Sequence, residues 1–427
     1  MNLINQLSQK ILLSALLLSF GFRGQAQSTG DLTLEECYQL AEQNYPLVKQ
    51  RELISKTANY TIENIQKGYL PQLNINGQAT YQSAVTAIPI KLPGIDIPAL
   101  SKDQYKLYGQ IDQVIYDGGE IKQQKQLQQT NEAVNQQQLK TDLYQLKGRI
   151  NQLFFGILLL DEQLRQNGLV RKDIQSGYDK ILASIKNGVA FRSNGDVIAA
   201  ELLNNKQQAI ELRASRKAYT EMLGLYTGKV MDETTVLKKP QPVHISHEIN
   251  RPELKVYDQQ AKNLEIQNKL LSVKTLPKLN VFFQGGLGRP ALDMLSNSFD
   301  AYYVGGLKLT WSPSIFYTLK KSRTLIDINR KTLDVQKETF LFNTSLTVKQ
   351  QDADISKYLQ LLDTDQEIIE LRTRVKKTAL VQLQNGVITS HDFLTELYDE
   401  DQARQNKILH EIQLLMAQYN QQTTTGN

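Results

Sequence analysis

Apolar residues recur through residues 139–185 at alternating steps of 4 and 3. Leu139, Leu143, Leu146, Ile150, Leu153, Ile157, Leu160 and Leu164 hold one frame, which continues through Asn167 and Arg171 to Ile174, Tyr178, Ile181 and Ile185. A strict 3.5-residue period specifies a coiled-coil seam with a left-handed supercoil, not the wider stripe of a globular core helix. No proline lies between Pro98 and Pro240, so nothing forces the helix to stop. A helix from about Gly119 to about Lys186 would be about 100 Å long at 1.5 Å per residue, roughly three times the hydrocarbon thickness of a bilayer.

Shorter elements precede it. Thr33-Leu34-Glu35-Glu36 reads as a capping box opening a helix to Asn44. Pro46 opens a second helix, as proline does at a first helical position, and Pro71 ends it. The period then becomes 2. Leu73, Ile75, Gly77, Ala79 and Tyr81 alternate with Asn74, Asn76, Gln78, Thr80 and Gln82, which is a strand with one apolar and one polar face. Residues 88–100, with Pro89, Pro93, Gly94 and Pro98, read as a loop. A return strand from about Tyr105 to Tyr116 ends at Asp117-Gly118-Gly119. Beyond the long helix, Asn187-Gly188-Val189 breaks the pattern, and Asp196 is expected to cap a returning helix through Val197, Leu202, Leu203, Ile210 and Leu223.

After a proline-bounded linker the pattern starts again. Asn44-Tyr45-Pro46 recurs as Asn250-Arg251-Pro252, and Leu70-Pro71-Gln72-Leu73-Asn74 as Leu276-Pro277-Lys278-Leu279-Asn280, both displaced by 206 residues. At ~5% proline usage, two prolines sharing one offset is roughly a 1-in-400 accident. Strands are predicted at residues 278–287 and 302–311, followed by a second helical hairpin. Residues 314–425 hold no proline and one glycine, Gly386, in Asn385-Gly386-Val387, the counterpart of the first break. The predicted organisation is a signal peptide at 1–26, a first repeat at 27–237 (strand pair 72–116, hairpin 119–226), and a linker at 238–250. A second repeat follows at 251–420 (strand pair 278–312, hairpin 315–419), then a disordered tail at 421–427.

Composition adds targeting. Lys10, the apolar run 11–20 and Gly24-Gln25-Ala26 read as an export signal cleaved after Ala26. Losing Lys10 and Arg23 takes the formal charge from +5 to +3, too mild to argue for nucleic acid. Cys37 is the sole cysteine, so there are no internal disulfides; packing on its amphipathic helix is its expected role. The longest later apolar run, 153–160, cannot span a bilayer as a helix. Membrane insertion would require a closed β-barrel. Four strands cannot close one, since the smallest have about eight; three chains would give twelve. Tyr81, Tyr105, Tyr108, Phe282, Phe283, Tyr302, Tyr303 and Trp311 lie in or beside the strands, as interfacial aromatic girdles do.

On these residues the chain resembles the TolC family of outer-membrane efflux proteins over residues 31–420. The resemblance rests on the Asn-x-Pro helix openings, the Leu-Pro-x-Leu-Asn strand openings and the Tyr116-Asp117-Gly118-Gly119 corner. It rests also on the paired tips Gly188…Asp196-Val197 and Gly386-Val387…Asp392-Phe393. It implies a mainly α fold with a membrane β-barrel: long antiparallel coiled-coil hairpins, four strands per chain, and a homotrimer with a twelve-stranded barrel and an α-helical periplasmic tunnel. The implied function is a passive exit duct in the outer membrane, in a tripartite efflux or type I secretion system. Its partners would be a periplasmic adaptor docked at the tips (Gly188, Val189, Asp196, Val197, Gly386, Val387, Asp392, Phe393) and, through it, an inner-membrane pump of RND or ABC type. Cargo could be drugs, metabolites, metal ions or proteins. The alternative is an exported coiled-coil scaffold without channel activity.

Two departures from the family pattern appear in the sequence. Eight steps separate Gly188 from Asp196 against six from Gly386 to Asp392, so the first tip loop is expected to be two residues longer. Ile388 stands where some members have a locking arginine. Asp392, Glu396 and Asp399 share a helix face, and threefold symmetry would repeat them as an acidic constriction.

No catalytic constellation or cofactor motif is found. His244 and His247 lie in the linker without a third ligand in helical phase. Gly285-Gly286-Leu287-Gly288 lacks the lysine and helix of a phosphate loop and reads as a strand end or turn. His391 and His410 are expected on a solvated helix face.

Overall fold

The computed structural model describes residues 31–86 and 100–427. The expected signal peptide and most of the loop at 88–100 lie outside the described residues. Helix α1 (Leu34–Asn44) is opened by a capping box in which Thr33 and Glu36 exchange hydrogen bonds. A 3₁₀ turn at Pro46–Lys49 leads into α2 (Gln50–Gln66). Strands β1 (Gln72–Tyr81) and β2 (Asp103–Tyr116) follow, then α3 (Glu120–Tyr144) and α4 (Leu146–Lys186). The long helix is thus interrupted only at Gln145, which keeps right-handed helical angles. Helix α5 (Arg192–Thr227) returns, and an irregular stretch leads to α6 (Pro252–Val273), which has proline at its first turn. The second half repeats the plan with β3 (Lys278–Arg289), β4 (Asp300–Thr310), α7 (Phe316–Gln384) and α8 (Ser390–Thr425).

The four strands form one antiparallel sheet in the order β1-β2-β3-β4. Each strand is joined to one helix, and those helices pack in the matching order α2-α3-α6-α7. The sheet therefore continues into a wall one helix thick. Gly286 belongs to strand β3 and not to a turn: a Cβ there would collide with the Leu107 carbonyl oxygen, so glycine permits the close approach of β2 and β3. Farther from the sheet the wall becomes two antiparallel hairpins, α4 with α5 and α7 with α8, with α4 also packed on α8.

Two apolar clusters hold the hairpins. One joins α1 to the seam at Leu139, Leu143, Leu146, Ile150, Leu153 and Ile157 and to Leu415 and Tyr419 of α8. The other lies near the tips around Val170, Ile174, Ile181, Leu383, Phe393 and Leu397. Below Asn167 the seam departs from its expected frame, because Val170 and Gly177 are buried while Arg171 is exposed and Tyr178 half-buried. Ile174 and Ile181 keep their expected places, so only the alternate position of each heptad moves one residue back.

The tail differs from expectation too. Helix α8 runs through residues 421–425, and Gly426 ends it in the left-handed region at φ 88°. Asn250 donates its backbone N–H to the Thr425 carbonyl at 2.6 Å, and Asn427 donates to the Glu248 carbonyl at 2.8 Å. The linker ties the end down.

Candidate functional site

Where strand β2 becomes helix α3, Asp117 accepts hydrogen bonds from the N–H groups of Gly119 (2.8 Å) and Ile121 (2.7 Å). The carboxylate satisfies donors left open at the helix start. Gly118 and Gly119 have φ of 72° and 87°, and a Cβ on Gly118 would stand 3.0 Å from that of Leu276. The corner read from sequence is thus a tight, capped turn that seats α3 beside α6.

Both hairpin tips end their first helix in the same way. Gly188 and Gly386 adopt φ of 70° and 68°; Val189 donates to the Ser184 carbonyl at 3.0 Å, and Val387 to that of Gln382 at 2.9 Å. This is the Schellman closure, for which glycine is preferred. The returning helices start at Arg192 and Ser390, four residues beyond each glycine. The tip loops are therefore equal in length, and the expected two-residue difference is absent. Asp196 is not a cap: it lies inside α5, whose N-cap position is Phe191, while Asn194 is the positional counterpart of Asp392. In sequence, Gly195 gives that stretch the look of a loop. It is buried in the helix, where its missing side chain lets Ile181 and Ile185 approach.

The second tip does carry a side-chain cap. Thr389 and Asp392 form a capping box, and those hydrogen bonds from Thr389 hold the Asp392 carboxyl below its ordinary pKa. Val189, Phe191 and Val387 are open to solvent at 73%, 80% and 68% exposure, and Val197 is exposed in the first turns of α5. Phe393 is different. It is buried at 1% exposure in a socket that Gly177 of α4 leaves open, where a Cβ would stand 2.8 Å from the ring. Expected among the docking positions, Phe393 instead joins the two hairpins. Phe191, not among the expected docking residues, is the exposed aromatic of the first tip; its signal in sequence is an apolar residue directly before the returning helix.

The expected acidic face is compensated within the chain. Arg372 lies 2.7 Å from Asp399 and 3.7 Å from Glu396, while Asp392 is engaged in its cap. Farther from the tip, buried Glu400 accepts from Arg404 (2.6 Å), Thr373 (3.0 Å) and Lys376 (3.1 Å), and Lys376 reaches Asp173 of α4 at 2.8 Å. Burial raises the Glu400 pKa, but the hydrogen bonds and charges of Arg404 and Lys376 outweigh it and leave it below the ordinary value. Its neighbour Asp401, bonded to Gln166 at 2.9 Å, is raised, chiefly by burial and further by the Glu400 charge. His410 is not on a solvated face: its Nδ1 lies 2.7 Å from buried Asp365.

His247 lies 3.1 Å from Asp352. Among the described residues no group of three or more His, Cys, Asp or Glu side chains could hold a metal ion. Cys37 is fully buried, and burial pushes its thiol up to about 12.

The sheet sorts its side chains by face. The registers Leu73↔Ile111, Gly77↔Leu107, Ile111↔Phe283, Val281↔Leu307 and Gly285↔Tyr303 place these residues on one side. That side is apolar and open, with Ile75 at 77% and Leu307 at 71% exposure. The other side carries Asn74, Asn76, Gln78, Gln104, Gln110 and Gln284 together with Tyr108, Phe282, Tyr302 and Val304, so those three aromatics, expected in outward girdles, lie on the opposite face. Among the described residues, both edge strands, β1 and β4, lack a partner on their outer side, and no helix is long and apolar enough to cross a membrane.

A four-stranded antiparallel sheet continued into two long helical hairpins defines the fold of the TolC-type outer-membrane channels. No protein-family model matches the sequence, and no curated protein is significantly similar to it. Solved structures are similar. CusC, which forms a transmembrane channel, aligns with a TM-score of 0.67 at 12% identity over 92% of this chain and 91% of its own. VceC, an outer membrane protein of Vibrio cholerae, aligns at 0.63 and 11% identity over 92% and 96%. The open state of the MtrE outer membrane channel of Neisseria gonorrhoeae aligns at 0.64 and 12% identity over 92% and 89%.

Proposed function

We propose that three copies of this chain form an exit duct through the outer membrane, with the hairpins reaching into the periplasm. The observation that carries this reading is the sheet: one face apolar and exposed, the other rich in amides, and both edges unpaired among the described residues. Open edges are not tolerated in lipid, so β4 of one copy pairs with β1 of the next. Exposed Leu325, Ile328, Val335 and Phe342 of α7 and Leu53 and Tyr60 of α2 are the matching unpartnered helix flanks. Two copies would give eight strands, whose interior is only wide enough for side chains to fill. Three give twelve and leave a water-filled lumen lined by the amide face.

The tips, with Val189, Phe191 and Val387 exposed, are the surface for a periplasmic adaptor, through which an inner-membrane pump would deliver cargo. The duct contributes no energy. A coiled-coil scaffold would have no use for an apolar outer sheet face.

The test is covalent capture across the edges. Cys37 is buried, so engineered cysteines report cleanly. Gln78→Cys on β1 combined in turn with Tyr302→Cys, Val304→Cys or Gly306→Cys on β4 should give linked dimers and trimers in membranes and nothing larger. An open-ended ladder, or no intermolecular product at any of the three positions, would contradict the closed barrel.

A further inference from the structure

Basic residues collect where the strands meet the helices. Residues 66–72, 116–126, 268–278 and 311–326 carry nine lysines and arginines against two carboxylates, although the formal charge of the whole chain is only +5. Both carboxylates are engaged: Asp117 caps α3, and Glu120 is ion-paired with Lys278. Lys67, Lys122, Lys269, Lys274, Lys320 and Lys321 are exposed, and among the described residues none has a carboxylate within 4.0 Å.

The direction of these lysines follows from helix phase. A cavity of about 510 Å³ lies between α3, α6 and α7, lined by Asn131, Gln260, Asn263 and Asn329, among others. Lys122, Lys269 and Lys320 each lie nine residues along their helix from one of these, namely Asn131, Gln260 and Asn329. Nine residues are about two and a half turns, so the three lysines stand on the side of the wall opposite this cavity. Towards the sheet from them lie exposed Tyr69, Tyr116, Trp311, Phe316 and Tyr317. Apolar sheet, aromatic residues and lysines thus follow one another along the molecule, the order in which a bilayer presents hydrocarbon, interface and headgroups.

We infer that these lysines form a collar that binds the headgroups of anionic phospholipid in the leaflet facing the periplasm. The inference rests on the exit-duct reading, which sets the sheet in the membrane and the helices outside it. Each lysine near an anionic surface adds attraction that decays within a Debye length, and threefold symmetry would repeat the collar around the barrel.

The experiment uses the detergent-purified assembly and two fluorescent probes, phosphatidylglycerol and phosphatidylcholine with identical acyl chains. The wild type should retain phosphatidylglycerol several-fold better, and raising the salt to about 0.5 M should erase most of that preference. The variant Lys67→Gln, Lys122→Gln, Lys269→Gln, Lys320→Gln should lose it at low salt. A control with the same charge change far from the sheet, Lys186→Gln, Lys206→Gln, Lys217→Gln, Lys377→Gln, should keep it. Should the collar variant fail to assemble, Lys122→Gln and Lys320→Gln singly should each lower the ratio. Equal retention of both probes by the wild type, or equal loss in collar and control variants, would overturn the collar. Loss of preference that follows added acidic protein and not salt would point to a protein partner and overturn it as well. A wild-type protein that is a detergent-free monomer would instead remove the exit-duct reading itself.

Discussion

Glu400 shows what single residues contribute between the two apolar clusters. Its carboxylate is held by Arg404, Thr373 and Lys376, and its pKa lies below the ordinary value. A carboxylate with a lowered folded pKa adds stability that is complete above its unfolded pKa and is lost as pH falls through the folded one. Glu400→Gln should therefore destabilise the protein at pH 7 by about 1–2 kcal/mol, since it leaves the partly exposed Lys376 and Arg404 less well paired. It should also flatten the fall in thermal stability on the acid side of pH 4.5, the ordinary value for this carboxyl. Melting curves across the acid range up to neutrality, for both proteins, check both points; parallel curves would show that Glu400 carries no acid-sensitive stability. Asp401 has the opposite sign, because its raised pKa means that ionisation opposes folding. None of this was legible in the sequence. Glu400 and Asp401 look like any charged pair on a helix, and only the packing of α4 against α8 buries them. The corner at Asp117-Gly118-Gly119 was legible, because glycine at positive φ after a capping acid is a local requirement.

At the scale of elements, period and punctuation carried most of the information. The change from period 2 to 3.5, the duplicated prolines and the lone glycine at 386 located the strands, the repeat and the second tip. The differences at the tips have one cause. Gly195 suggests a longer loop when taken as a helix breaker, and Gly177 gives no sign of its role, yet each is a helical glycine whose missing side chain makes room for a neighbour. Gly386 is the contrasting case: its φ is 68° and a Cβ there would meet nothing within 4 Å. Gly386→Arg should accordingly cost about 1–3 kcal/mol of local strain and leave assembly intact, while the added cation disturbs the apolar tip surface. Trimer yield should stay near wild type and site-specific crosslinking to the adaptor from the tip should fall at least several-fold. Undiminished crosslinking with normal yield would move the docking site away from the tips.

For the whole molecule, the sequence pointed to an assembly because four amphipathic strands cannot close a barrel. The structure adds a geometric reason. Sheet order and helix order coincide, so among the described residues one chain is a wall segment with two unpaired sheet edges and one apolar, exposed sheet face. The number of copies is the claim on which duct, lumen and collar all depend. The protein mass of the particle purified in detergent, with detergent and lipid subtracted, measures it directly. Three chains per particle, held together only while detergent is present, is the predicted result. A stable, soluble single chain after detergent removal would contradict the account.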